Sequence, residues 1–438
     1  MKLFADVNEE LRKQIKKFTI IFLIVAIIFF AIVQTFDLPS EVSGLYFEYA
    51  EKMASLQMPY SDFPAEYPPL AMLLIFIPRL FSFSPFTYEI AFGVMVYIAL
   101  LAGLICTYKL ADMYSDKPRR YTDLYIILCM CFFEFIMDRY DIFPTMMCLF
   151  ALYFFKTNRM NLAWIMIAIG TMTKLFPALL APVFLIYLCM NGRGRDALKG
   201  IGICVAIGIA SMLPFFISDP ETMFMFLTYH MDRGMQTESL VSSFLMLFDK
   251  IGIIDIGYQF NYGSDHIYGP VPDAIAGVML YIMIVLIVAT YIMYGTIVHK
   301  IKEKDAFLGI ILASFVVVML FILVNKVLSS QYIIWMIPFV VIACAIMDPV
   351  WEKRTEIMFA CALALTQLAF AVNMGSFASS IGGRIDATSP YPTLGILLLV
   401  IRNITLVALL GYMTKSLLSL GHPGSDGEIA GQHDPIKE

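Results

Sequence analysis

The sequence predicts an all-α, polytopic membrane protein of about 12 transmembrane helices, within a range of roughly 10 to 13. Three observations carry this. Of 438 residues, 60% are apolar and only 15% charged, against about half and a quarter in soluble domains, and mean hydropathy is +0.79. Apolar runs near the length of a bilayer crossing recur along the chain, and only a helix satisfies its own backbone in lipid. Lys and Arg gather in alternate loops, as cytoplasmic loops require. This composition excludes a soluble enzyme, a nucleic-acid reader and a secreted disulfide scaffold. A net charge of −5 offers no basic surface for nucleic acid.

The elements follow in order. Residues 1–17 form a charged, amphipathic, cytoplasmic segment. The apolar run 18–36 has no small-residue cleavage site after it, so it reads as a first span and not as a signal peptide. Further spans are expected at 86–108, 121–137, 141–156, 161–173, 176–190, 199–217, 274–298, 306–324, 331–347, 356–374 and 392–414. The membrane domain is therefore 18–414, and the polar tail 415–438 is expected to be cytoplasmic and disordered. With the N-terminus inside, Lys2, Arg12, Lys13, Lys16 and Lys17 and the Lys117-Pro-Arg119-Arg120 loop all lie on the cytoplasmic side. Were 69–82 to cross as well, that loop would turn outward, so 69–82 is expected to lie in the outer interface as a short helix. Two large outer loops, 37–85 and 218–273, and a third at 375–391 complete the pattern. Within the first loop, Leu45, Tyr49, Met53 and Leu56 share one face of a helical segment at 45–56, fitting an interfacial helix. The eight cysteines form no CxxC pair and are expected as buried, inert thiols.

Ionisable residues beside apolar spans are costly and default to function. Asp62 and Glu66 lie in PYSDFPAEYPPL; Asp138, Arg139 and Asp141 in DRYDIFP; Lys174 in TKLFP; His230, Arg233 and Glu238 in YHMDRGMQTES; Lys326, Gln331 and Tyr332 in NKVLSSQY. All fall on the outer side of the expected topology and are expected to meet in one polar cavity open to the outer leaflet. Structural readings stand beside this one. DRYD is also a turn with Arg139 paired locally, Lys174 a snorkelling side chain, Pro68-Pro69 an extended lead into a helix, and His230 a hydrogen-bonded loop residue. Carboxylates suit a general base toward a hydroxyl, and Arg, Lys and His suit a phosphate. A lipid-side opening admits a long-tailed substrate, so the set points to group transfer from a lipid-linked phosphate donor. No Walker loop, HExxH, GxSxG or zinc pattern is present. The competing class is a secondary transporter, which would place its site at the midplane with repeat symmetry. No internal repeat is visible.

The ordered motifs PYSDFPAEYPPL, DRYDIFP, TKLFP, H-x-x-RG-x-Q-x-ES and SSQYIIWMIP, over about residues 18–350, resemble membrane glycosyltransferases of the GT-C superfamily. They are most similar to the polyprenol-phosphate-mannose-dependent mannosyltransferases of family eighty-seven. The resemblance implies juxtamembrane helices in a large first outer loop. It implies a sugar, mannose, on a polyprenyl or dolichyl monophosphate, and transfer with inversion. It also implies an acidic base in the first outer loop, just ahead of the LY of the first juxtamembrane helix. Here Val42 and Ser43 hold that place and Glu41 precedes them, so the candidates are Asp62 first and Glu41 second. The donor phosphate falls to Arg233, Lys174 and His230, with Arg139 in reserve. Glu66, Asp138, Asp141, Glu238, Gln331 and Tyr332 are the sugar- or acceptor-binding candidates. No cofactor is expected; the spaced Asp138 and Asp141 offer a divalent-metal site that is not favoured. Expected partners are the polyprenyl-phosphate sugar, a lipid or glycan acceptor and membrane lipids, and no nucleic acid. The expected location is the plasma membrane, with the active site on the non-cytoplasmic face.

Overall fold

The computed structural model describes residues 7–36, 38–380 and 391–421, without the side chains of 230–232 and 374–380. Helix α1 (Glu9–Phe36) runs unbroken from the charged N-terminal segment into the first apolar run. A π-helical turn at Val42–Tyr46 leads into α2 (Phe47–Ala54). Pro68 is extended and Pro69 opens α3 (Pro69–Arg79), where a missing N–H costs nothing. Ser84 and Thr87 form a capping box at the start of α4 (Pro85–Asp112). Then come α5 (Pro118–Cys131), α6 (Phe133–Asp138), α7 (Ile142–Lys156), α8 (Met160–Thr173), α9 (Leu180–Met190), α10 (Gly194–Ser218) and α11 (Met225–Asp232). Strand β1 (Met235–Gln236) precedes α12 (Leu240–Lys250), which Ser239 caps by accepting from the Ser242 N–H. Strands β2 (Gly257–Asn261) and β3 (Ser264–Tyr268) form a hairpin. Its two turn residues, Tyr262 and Gly263, have φ of 49° and 68°, the left-handed pair that a tight hairpin demands. The sheet is antiparallel in the order β1–β3–β2. The chain ends its described part through α13 (Pro270–Ile297), α14 (Ala306–Val324), α15 (Ile337–Ile346), α16 (Pro349–Ser380) and α17 (Thr393–Leu420).

The helices group into two compact units. One comprises Met1–Thr228 and Ile334–Asp348, the other Tyr229–Ile333 and Pro349–Ile429. In the first, α8 packs on α10 so closely that a Cβ at Gly200 would sit 2.0 Å from the Trp164 ring. In the second, the sheet and α12 share an apolar core with α13, α16 and α17 through Met235, Met246, Ile267, Met279 and Ile396.

Among the described residues, seven helical segments are long and apolar enough to cross a membrane: α1, α4, α10, Pro270–Lys300, Glu303–Val324, Pro349–Asn373 and α17. Their outward faces are apolar and exposed, as at Leu23, Ile27 and Ile28 of α1 and Ile209 and Leu213 of α10. Only lipid covers such surface without cost, so the chain is an integral, multi-pass membrane protein.

The five other expected spans are shorter or interrupted helices. The expected 121–137 crossing breaks at Phe132 into α5 and α6. Helix α8 has 14 residues, and a 3-10 turn at Phe176–Leu179 runs into α9 to make one short apolar helix, Phe176–Met190; at about 1.5 Å per residue both fall short of a ~30 Å apolar layer. The expected 331–347 span is a 3-10 turn, Ser330–Met336, followed by the ten residues of α15. Motifs rich in Pro and charge end these helices early. The two short helices expected in the first loop are present as α2 and α3, whereas the sheet in 218–273 is an addition to the all-α expectation. None of the eight cysteines is in a disulfide, but Cys131, Cys189 and Cys361 are exposed and Cys204 is half-buried: their apolar surroundings are not the protein core. The tail beyond 421 lies outside the described residues.

Candidate active site

Glu41 owes its position to the π turn. Tyr46 N–H donates to Glu41 O over 2.9 Å, five residues back, so the turn accommodates one residue more than an α-helix would. The Glu41 N–H donates to Asp138 Oδ1 over 2.8 Å, and Arg139 Nη2 lies 3.4 Å from Glu41 Oε1. Arg139 also pairs with Asp138, so the local-pairing reading of DRYD holds in part. Burial alone would lower the Arg139 pKa; Asp138 and Glu41 outweigh it and hold the guanidinium charged.

The other half of DRYD faces inward. Asp141 is 1% exposed and accepts from Lys174 Nζ over 2.7 Å and from Trp335 Nε1 over 2.6 Å. Phe176 stacks on Trp335 with ring centroids 4.1 Å apart. Lys174 Nζ also lies over the Tyr140 ring at 4.9 Å, where the ring face attracts a cation. The motifs TKLFP, DRYD and QYIIW are thus parts of one contact set.

Tyrosines join the first loop to this set. Tyr46, Tyr67 and Tyr140 meet with centroid distances of 5.0 to 5.9 Å. Tyr67 is the aromatic of EYPPL, so the motif's role here is to place a ring. The Tyr46 phenol is pushed well above its ordinary pKa by burial, with Arg139 pulling it down and Glu41, Asp141 and Asp138 pushing it up. Glu41, Asp138 and Asp141 are three carboxylates against the two cations Arg139 and Lys174, which leaves one negative charge in excess.

Asp62 is not among them. It is exposed, and its carboxylate accepts from the Met58 N–H over 2.7 Å, capping a turn whose Tyr60 adopts φ 70°. Such a φ is strained for a bulky residue, and the Tyr60 N–H to Phe63 O bond and the Asp62 cap hold it. Glu66 is half-buried and helps push the Tyr49 phenol upward, after burial itself.

The second unit holds the remaining candidates. Arg233, 9% exposed, donates from Nη2 to Ser264 Oγ. Ser264 Oγ lies 3.4 Å from His266 Nε2. Glu238 accepts from Arg402 Nη1 over 2.9 Å and from Ser330 Oγ, and Arg402 is fully buried, so Glu238 is tied into a structural ion pair. Gln331 and Tyr332 are half-buried on the 3-10 turn. The side chain of His230 lies outside the described residues. Among the described residues, no group of three or more His, Cys, Asp or Glu is placed to hold a metal ion; Asp138 and Asp141 instead meet Arg139 and Lys174.

Sequence reasoning missed Arg402, Trp335, Ser264 and His266. A lone Arg within the apolar run 392–414 is a signal in itself. Trp335 was legible as an indole N–H that needs an acceptor when buried. Nothing local marked the hairpin pair Ser264 and His266.

A family model described as glycosyltransferase family 87 matches residues 66–325. No curated protein matches the chain. Among solved structures, the apo crystal structure of ArnT from Cupriavidus metallidurans is similar at 14% identity and a TM-score of 0.45, covering 93% of this chain and 77% of that one. The family match takes in EYPPL, DRYD, TKLFP and the Arg233–His266 segment and runs over more than half of the 438 residues, and the chain belongs to glycosyltransferase family 87.

Proposed function

We propose that this glycosyltransferase moves a hexose, mannose by the resemblance of its motifs, from a polyprenyl-monophosphate sugar to a lipid or glycan acceptor on the non-cytoplasmic face, with Glu41 as general base. Family membership makes the chain a transferase and sets the transporter reading aside. The observation that carries the mechanism is the π turn that holds Glu41 against Asp138 and Arg139. Glu41 keeps 30% of its side-chain surface exposed, where Asp141 keeps 1%; a base must be reachable. Asp62 remains the second candidate, reachable but already engaged as a turn cap.

In the reaction the acceptor hydroxyl oxygen forms a bond to the anomeric carbon from the face opposite the phosphate, and its proton passes to the Glu41 carboxylate. The bond from that carbon to the phosphate oxygen breaks, and its electron pair leaves with the polyprenyl phosphate. The transition state is oxocarbenium-like, which the excess negative charge of the cluster favours. Arg139 orients Glu41. Lys174 and Trp335 fix Asp141 beneath it, so Lys174 acts on this cluster chiefly by position.

Purified protein incubated with radiolabelled polyprenyl-phosphate mannose and extracted membrane lipids is expected to yield a labelled lipid or glycan, and the glucose and diphosphate donors much less. Transfer from polyprenyl-diphosphate or nucleotide sugars alone would overturn the donor assignment.

A further inference from the structure

In the second unit, strand β3 and the residue two positions ahead of β1 carry two buried nitrogens without a hydrogen-bond partner, His266 Nδ1 and Arg233 Nε. Ser264 and His266 stand on the same face of β3, since alternate strand residues share a face. Ser264 Oγ accepts from Arg233 Nη2 and lies 3.4 Å from His266 Nε2, to which it donates in the tautomer that carries its proton on Nδ1. A ring nitrogen that accepts puts the imidazole proton on the other nitrogen. His266 Nδ1 is then a donor. It has no hydrogen-bond partner, and neither has Arg233 Nε. His266 is 0% exposed and Arg233 9%. Buried donors left unmet are costly, and two of them beside a guanidinium describe a site for an anion with several acceptor oxygens.

We propose that Arg233, Ser264 and His266 form a binding site for a phosphate group, whose oxygens accept from Arg233 Nε and His266 Nδ1, and that binding draws a proton onto His266. The proposal deepens the lipid-phosphate reading and rests on it only for the choice of ligand. The shared chemistry is a phosphate oxyanion, whether on a lipid or free.

The charged groups around His266 give the proton its direction. Burial is the main cause that lowers its pKa, to about 4, with the charges of Arg233 and Lys326 adding to it and the Ser264 backbone opposing. The carboxylate of Asp265 stands on the opposite strand face, donated to by the Tyr391 hydroxyl over 2.6 Å. Tyr262 meets the imidazole edge-on at 6.5 Å, and the cross-strand neighbours Gln236 and Gln259 are uncharged. Without a bound anion the imidazole is therefore neutral at neutral pH. An anion reverses the local field and raises the His266 pKa, so the bound state carries more protons. By linkage, affinity falls as pH rises, by about tenfold per unit between the free and bound pKa values.

The test uses the full-length protein in nanodiscs and calorimetric binding in two buffers of different ionisation enthalpy, which counts protons taken up. Two probes separate the sources: a short-chain polyprenyl-phosphate hexose, a diester whose single charge does not titrate near neutrality, and inorganic sulfate, a free oxyanion that does not titrate either. Uptake approaching one proton, lost in His266→Gln while binding persists, supports the site, and Arg233→Gln should weaken binding about tenfold or more. Because the chain has five histidines, nitrogen-15 histidine NMR provides a readout independent of variants: one imidazole should pass from neutral to charged on adding the probe. Sulfate binding with proton uptake but no binding of the diester would keep the site and remove the lipid-donor reading. Sugar transfer from the diester by an unaltered His266→Gln variant, with no histidine titrating on binding, would overturn the site and leave the transferase intact.

Discussion

Lys174 Nζ donates to Asp141 Oδ1 over 2.7 Å, and the same oxygen accepts from Trp335. One carboxylate oxygen thereby joins three motifs far apart in sequence. With Asp141 at 1% exposure, the pair is a buried ion pair, which is costly to break by removing one partner.

Lys174→Met should therefore destabilise the protein by about 3–5 kcal/mol, because Asp141 is left charged and buried. Adding Asp141→Asn should recover most of that loss. Thermal unfolding of the single and double variants in detergent checks this; an additive double variant would show that the pair is not coupled.

The two carboxylates of the first loop separate by phenotype. Glu41→Gln should lower kcat by roughly 10²–10⁴ with a change in stability under about 1 kcal/mol. Asp62→Asn should keep most of the activity and the turn cap, since an amide oxygen still accepts from the Met58 N–H, whereas Asp62→Ala should keep the activity and lose about 0.5–2 kcal/mol with the cap. Steady-state transfer rates beside melting curves decide the matter. The reverse pattern would make Asp62 the base.

The pair in the second unit behaves differently from a surface contact. Arg402 is fully buried and Glu238 is 24% exposed, so Glu238→Ala strands the guanidinium. The expected cost is about 3–5 kcal/mol, larger than for Glu238→Ala combined with Arg402→Met. Unfolding midpoints of the three variants measure it.

Alkaline pH should expose the buried tyrosine cluster. Burial, chiefly, raises the phenol pKa of Tyr46 and of Tyr67 well above the ordinary value of 10.0. The neutral phenol is the folded form, so the stability these groups contribute is complete below about pH 10 and is lost as pH rises beyond it, when only the unfolded chain ionises them. Tyr46→Phe should soften that loss. It should also cost little at pH 7, since the Tyr46 hydroxyl is buried without a hydrogen-bond partner. Tyrosinate absorbance set against unfolding between about pH 9 and pH 12 tests both.

Much of this protein is written in its order of residues. The membrane class follows from 60% apolar content, because no polar shell can cover that much apolar surface. The long spans follow from their runs, and α2 and α3 from an amphipathic face and a Pro-Pro start. EYPPL, DRYD and TKLFP announce themselves because charge and proline beside lipid are expensive unless used. What each of those residues does was decided only by the tertiary structure. Asp62 and Glu41 are alike as acidic residues of one loop; the π turn sets Glu41 beside Arg139 and a backbone N–H occupies Asp62. Lys174 reads as a phosphate ligand until Asp141 is found 2.7 Å away. Nothing in the sequence singles out His266, which the hairpin closes away from water with Arg233 and Ser264. The physical reason is common to all: solvation is a local property of composition, but pairing between charges depends on distances that folding alone creates.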